Sequence, residues 1–239
     1  MVNSLRGLFW IAIASLSAWA GIAVADIPQS VSLEYRISKA GITIGTVREA
    51  FVREAGHYRI SSETKTAGPV RVFLKDKLTI TSEGSVGPGG LIPERYTFQR
   101  ERDSQKNLVS VFDWPARQIV ASVGGGGRQE AFELPEGTLD RISAMYQFMF
   151  QAPKAASVVA WMSQGKKAER YEYRRVGEES ISIDGREFKS VRYARVARPG
   201  ESHAELWLAA DLHFLPVKMV FSDDKGLKLE QSLVSVSLQ

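Results

Sequence analysis

Apolar and polar residues alternate with a period of two along most of this chain. Leu215, Val217, Met219 and Phe221 alternate with Pro216, Lys218 and Val220; Tyr171 and Tyr173 alternate with Arg170, Glu172 and Arg174. The same pattern recurs at Tyr96 and Phe98, at Leu78 and Ile80, and where Leu206 and Leu208 flank Trp207. Successive strand side chains point to opposite faces, so such runs put one face in a core and the other in water. That is how an antiparallel sheet with one wet side behaves. The chain has no cysteine. Burial and hydrogen bonding must hold the sheet without disulfides, and reducing agents should leave it intact.

Turn residues separate the runs. Asp184-Gly185 lies between Ile183 and Phe188, and Asp223 to Gly226 separates Phe221 from Leu227. Gly87-Pro88-Gly89-Gly90 divides two more strands, and Gly124 to Gly127 reads as a flexible hairpin tip. A phosphate cradle would need a helix start and a Lys-Ser/Thr pair, which Arg128-Gln129-Glu130 does not supply. One segment has helical spacing. Over about 138–150, Leu139, Ile142, Met145, Tyr146 and Met149 share a face, with Thr138 as cap and Asp140 in the first turn. Phe148 points the other way, so this helix is either covered on both sides or borders a cavity. A shorter helix is expected over Pro69 to Lys75. The expected fold is mainly β: an antiparallel meander curled into a half-barrel, barrel or sandwich around one main helix. Within it, Gly90 to Phe98 parallels His213 to Phe221. In each, an apolar residue precedes Pro, a base follows two positions later and Phe five positions later. A duplicated meander or chance similarity between strand starts would explain the parallel equally.

The first segment has an exported protein's leader pattern. Arg6 is its only charge, a mostly apolar run follows from Leu8 to Val24, and Ala23-Val24-Ala25 ends it. A basic start, an apolar middle and an A-x-A exit predict a signal peptide over 1–25, cleaved after Ala25. One β-rich domain over 26–239 would remain, in the periplasm, with no integral membrane segment. The net charge of +4 is mild. Together with export it argues against a nucleic-acid partner.

Candidate chemistry is sparse. No G-x-S-x-G or H-E-x-x-H spacing occurs. His203, Glu205, Asp211 and His213 could be drawn together as a metal cluster, but their spacing is not that of a ligand motif, and a polar face plus a turn residue accounts for them. Glu178 and Glu179 are neighbours on a strand and point apart. Catalytic, metal and cofactor sites are therefore not expected. If a pocket exists, Trp207, Trp161, Phe98 and Phe148 are expected to line it. Residues 166–198 hold ten basic against six acidic residues. Adjacent strands could gather Lys166, Arg170, Arg174 and Arg192 into one basic surface that meets anionic headgroups or an acidic partner.

Several segments stand in a set order: Tyr35-Arg36 with Gly41 and Gly45, Gly90 to Tyr96, Phe112-Asp113-Trp114, Leu134 to Asp140 with Ser143, Leu206 to Leu208 with Asp211, and Leu215 to Lys218. In their order and spacing they resemble the bacterial domain of unknown function 3108 family. The resemblance implies an exported envelope protein with no established activity. The final portion is also similar to periplasmic lipoprotein-carrier domains, which implies a half-open barrel over an apolar cavity; those carriers use several lid helices, and this chain has one clear helix. Two functions are in view. One is a non-catalytic binding or carrier module for an apolar ligand such as a lipid or acyl chain. The other is a structural or assembly protein that docks an envelope partner through the basic surface.

Overall fold

The computed structural model describes residues 27–68, 76–124 and 129–239. The expected cleavage site at Ala25, the short helix over Pro69 to Lys75 and most of the Gly124 to Gly127 loop lie outside the described residues. The chain is mainly β, in one large antiparallel-dominated sheet. Its first arm comprises β1 (Ser30–Lys39), β2 (Ile42–Glu54), β3 (His57–Thr66), β4 (Lys77–Gly87), β5 (Gly90–Arg100), β6 (Leu108–Asp113), β7 (Gln118–Val123) and β8 (Gln129–Glu133). The second comprises β9 (Leu139–Asp140), β10 (Ser157–Ser163), β11 (Ala168–Ile183), β12 (Arg186–Arg195), β13 (His203–Ala209), β14 (Leu215–Ser222) and β15 (Lys228–Leu238).

Every strand pairs with its chain neighbour except β8 with β9, and β15 returns to pair with β1. The topology is a closed meander opened at one seam. The ends of the described chain meet: Gln239 accepts from the Gln29 and Ser30 amides at 2.7 and 2.9 Å. On the far side, β9 comes back against β5, so the sheet curls without closing into a barrel. Inner-facing Val31, Leu33, Phe51 and Ile60 of the first arm, and Leu206, Leu208 and Val217 of the second, fill the curl.

The turns follow from backbone chemistry. Asp184-Gly185 joins β11 to β12 with both residues at positive φ (49° and 78°), as a two-residue hairpin requires. Ala40-Gly41 and Ala55-Gly56 do the same in β1–β2 and β2–β3, although alanine carries no turn signal in sequence. The Asp223 carboxylate accepts from the Lys225 and Leu227 amides at 3.0 and 2.8 Å, closing β14–β15.

The two parallel proline segments adopt one geometry. Pro93 opposes Gly84 and Pro216 opposes Leu208, each just before a β-bulge whose extra residue, Glu94 or Val217, directly follows the proline. A bulge disrupts the local ladder and bends the strand. In both places an aromatic side chain reaches the proline carbonyl: Trp114 Nε1 donates to Pro93 at 2.7 Å, and the Tyr35 hydroxyl donates to Pro216 at 2.8 Å.

Candidate functional site

The expected helix is present but starts late. Leu139 and Asp140 form a short bridge, parallel to Met162 and Ser163 of β10. The α-helix α1 then runs over Ser143–Tyr146, and a 3-10 turn follows over Gln147–Met149. Asp140, not Thr138, caps it. The Asp140 carboxylate accepts from the Ile142 and Ser143 amides at 3.0 and 2.9 Å. Ser143 Oγ in turn accepts from the Asp140 amide at 2.9 Å. Ser82 of β4 donates to the same carboxylate, and the Tyr58 hydroxyl lies 2.9 Å from Ser82 Oγ. Thr138 Oγ1 instead donates to the Pro135 carbonyl at 2.7 Å.

Asp140 is fully buried, and this burial holds its carboxyl above the ordinary range despite the donors around it. Glu49 of β2 fastens the other end of the segment. It accepts from the Tyr146 hydroxyl at 3.2 Å and from Ser62 Oγ at 3.1 Å, and burial raises its carboxyl too. Tyr146 stacks on Phe51 with ring centroids 5.5 Å apart, and Phe150 meets Phe51 edge-on at 6.3 Å. One side of the segment is thus anchored to the first arm of the sheet.

Its other side borders a cavity of about 990 Å³, partly open to solvent and predominantly apolar. Ala144, Met145 and Phe148 form one wall, and Val158, Ala160 and Met162 of β10 form the facing one. Leu91 and Ile92 at the start of β5 line it further, and Tyr173 and Leu206 belong to its inner part. The cavity exists because β9 is two residues long. It covers β10 only at Met162 and Ser163, so on this side residues 157–161 have no strand partner among the described residues.

The surrounding polar groups are tied into the frame. Gln147 accepts from the Leu91 amide at 2.9 Å and donates to the Gly89 carbonyl at 2.7 Å; Gln151 donates to the same carbonyl. The Tyr193 hydroxyl holds the loop below at the Ala155 carbonyl, 2.7 Å away. Glu136, Lys154 and Tyr173 are the titratable side chains lining the space. Burial pushes the Tyr173 phenol up to about 12, so it stays neutral.

The profile of one family, described as protein of unknown function (DUF3108), matches residues 34–232. The chain belongs to this family. No curated protein matches the sequence. Among solved structures, the chain is similar to a β-barrel-like protein of domain of unknown function DUF1849 from Brucella abortus, with a TM-score of 0.57 at 9% identity, covering 89% of this chain and 98% of that one. A candidate lipoprotein from Parabacteroides distasonis aligns at a TM-score of 0.37 and 10% identity over 88% and 97% of the two chains. A candidate exported protein with YmcC-like fold from Bacteroides fragilis aligns at 0.36 and 11% over 88% and 96%.

Several of the DUF3108 segments quoted from sequence border the cavity, through Leu91, Ile92, Trp114, Glu136 to Leu139 and Leu206. Leu134 to Ser143 builds the capped wall, Gly90 to Tyr96 supplies the facing bulge, and Leu215 to Lys218 supplies the second bulge. Of the four aromatic residues expected to share a pocket, Phe148 and Trp161 line the cavity. Phe98 lies on β5 between Ile80 and Leu108 and packs against the core. Trp207 faces outward from β13. It is 7% exposed because Arg192 and Lys218, its cross-strand neighbours, lie over its ring at 5.0 and 5.3 Å. Its Nε1 donates to Glu179 at 2.6 Å.

Of the four basic residues, Arg170, Arg174 and Arg192 lie on the outer face of β11 and β12, and Lys166 lies apart from them. Arg170 and Arg174 share the outer face of β11, opposite Trp161 and Ser157. Arg192 is held by Glu205 at 2.8 Å and lies over Trp207. Lys166 lies in the β10–β11 turn, 3.9 Å from Glu130 of β8, and so bridges the seam. Among the described residues no group of histidines and carboxylates could hold a metal ion. Glu205 is engaged by Arg192, and His213 ends a 3-10 turn at φ 52°. Sequence reasoning missed Met145, Val158, Ala160 and Met162 as cavity residues. The signal for Val158, Ala160 and Met162 was their position on the uncharged run Ser157 to Ser163, and for Met145 its place on a helix with two apolar faces.

Proposed function

We propose that this chain is an exported, non-catalytic binding or carrier module for an apolar ligand such as a lipid or acyl chain. The observation that carries this reading is the half-open apolar cavity of about 990 Å³ between α1 and the free edge of β10. Ligand sites are concave, largely apolar and typically ~300–1,000 Å³, with a few polar groups that orient the ligand. Lys154 and Ser157 at the rim are groups of that kind. The lining supports binding rather than acid–base chemistry, because its one buried titratable group is a neutral phenol. Placement in the periplasm is part of the proposal and follows from the leader pattern ending at Ala25.

Native mass spectrometry of protein purified from its own cell envelope tests the reading, together with titration of a fluorescent fatty acid. We expect a bound mass, probe binding and a mature chain that begins at Asp26. Ala160→Trp, which puts an indole into the space, should abolish probe binding while the unfolding midpoint stays near that of the parent. A ligand-free mass together with no probe binding would overturn the proposal.

A further inference from the structure

The free edge of β10 presents a second feature on the outside of the cavity mouth. Val159 and Trp161 line the cavity yet are 47% and 37% exposed, and Ile92 across the opening is 37% exposed. Single exposed apolar side chains such as Ile42 and Val176 are ordinary, but three gathered round one opening form a patch of the kind that marks an interaction site. The charges beside it are three cations against two carboxylates, Glu172 directly opposite Val159 and Glu136 in the lining. Arg170 stands directly opposite Trp161 on the outer face, and Arg174 stands opposite Ser157 two positions along. Lys154 lines the same opening. Among the described residues, Lys154 and Arg170 make no ion pair, while Glu172, between the two arginines, is taken by Arg174 at 3.1 Å.

We propose that this rim docks on an anionic lipid bilayer, with Trp161, Val159 and Ile92 entering the headgroup region and Lys154, Arg170 and Arg174 meeting lipid phosphates. The inference rests on the reading of the cavity as an apolar ligand site and supplies that ligand's route, since the mouth then opens against the bilayer. Tryptophan suits the position because its ring is apolar and its N–H prefers a wet partner, which is why it collects at membrane interfaces. Arginine stems cover apolar surface while their heads stay among the phosphates. The opposite edge of the sheet differs. β8 reads Gln129-Glu130-Ala131-Phe132-Glu133, with Glu130 held by Lys166 at 3.9 Å and Glu133 an acidic group that an anionic surface repels.

The test uses the mature full chain and vesicles of phosphatidylcholine alone or mixed equally with phosphatidylglycerol. Co-sedimentation is expected with the mixed vesicles and not with phosphatidylcholine alone, and should weaken at high salt. Each cation at an anionic surface is worth about fivefold in partitioning, so Arg170→Gln with Arg174→Gln should lower it about thirtyfold. Brominated lipid should quench tryptophan emission in the parent, and Trp161→Phe should remove most of that quenching. The cavity is read separately, by fatty-acid titration without vesicles, which the arginine variant should leave unchanged. Fatty-acid binding without vesicle binding would overturn the docking surface and leave the carrier reading standing. Vesicle binding that ignores both arginines, or quenching that survives Trp161→Phe, would overturn it as well. Binding to an acidic protein in place of the mixed vesicles would do the same.

Discussion

Replacing Asp140 tests what pins the cavity wall to the sheet. Its carboxylate serves three donors: the Ile142 amide, the Ser143 amide and Ser82 Oγ. All lie in a buried pocket that water does not reach. Asp140→Ala leaves those donors unmet, and each unsatisfied buried group costs ~1–3 kcal/mol, so the loss should be about 3 kcal/mol or more. Asp140→Asn should differ sharply. Its oxygen still accepts from both amides, its NH₂ donates to Ser82, and Ser82 turns its own proton toward Tyr58. That cost should stay within about 1 kcal/mol.

The pH dependence separates the two substitutions further. Burial raises the native carboxyl of Asp140 above its value in the unfolded chain, ~3.9. Between those two values the native state holds a proton that the unfolded state has released. The stability contribution is therefore complete below about pH 4 and declines as pH rises through the native value. Asparagine has no such proton, so Asp140→Asn should gain on the parent as pH rises from 4 to 8. Urea unfolding followed by circular dichroism across that range measures both effects. Asparagine as damaging as alanine, or a parent that gains on Asp140→Asn with rising pH, would refute the reasoning.

Further outcomes follow from the bulges and the outer face. A Cβ on Gly84 would press into the Ile92 carbonyl at the β5 bulge, so Gly84→Ala should destabilise by about 1–3 kcal/mol in thermal unfolding. Trp207→Ala should cost about 3–5 kcal/mol although the residue faces outward, because Arg192 and Lys218 cover it; urea titration would show this. A reductant should not move the melting temperature of a chain without cysteine, and scanning calorimetry with and without dithiothreitol checks it.

Most of the sheet was legible because alternation and turn chemistry act locally. Tyr171 and Tyr173 face inward as their spacing requires, and Asp184-Gly185 makes the turn its residues favour. The helix was expected from about 138 and α1 begins at Ser143, because Thr138 suits a cap by residue type while the Asp140 carboxylate is what engages the Ile142 and Ser143 amides. A serine from β4, fifty-eight positions earlier, bonds to Asp140 and helps settle the choice. Trp207 was ambiguous for a different reason. Leu206, Trp207 and Leu208 are all apolar, so alternation gives no parity, and its cover comes from cations on two other strands. The cavity could not be read from spacing. It depends on β9 being too short to cover β10, and the length of a two-residue ladder leaves no periodic trace.

The matched prolines carry the last expectation. At each bulge the ladder slips by one residue, and a proline carbonyl takes an aromatic donor from elsewhere in the fold. The surroundings of the two donors differ. Tyr35 is 1% exposed, so Tyr35→Phe strands a buried carbonyl and should cost about 1–3 kcal/mol. Trp114 is only partly buried, and water can replace its N–H, so Trp114→Phe should lose less at that bond. The two bulges lie on different arms, in β5 and β14, and the two donors share no hydrogen-bond partner, so the double variant should show the sum of the two losses. If Tyr35→Phe unfolds at the parent's midpoint, the aromatic donor is not what stabilises the bulge, and the common geometry of the two segments would rest on the proline and the slipped register alone.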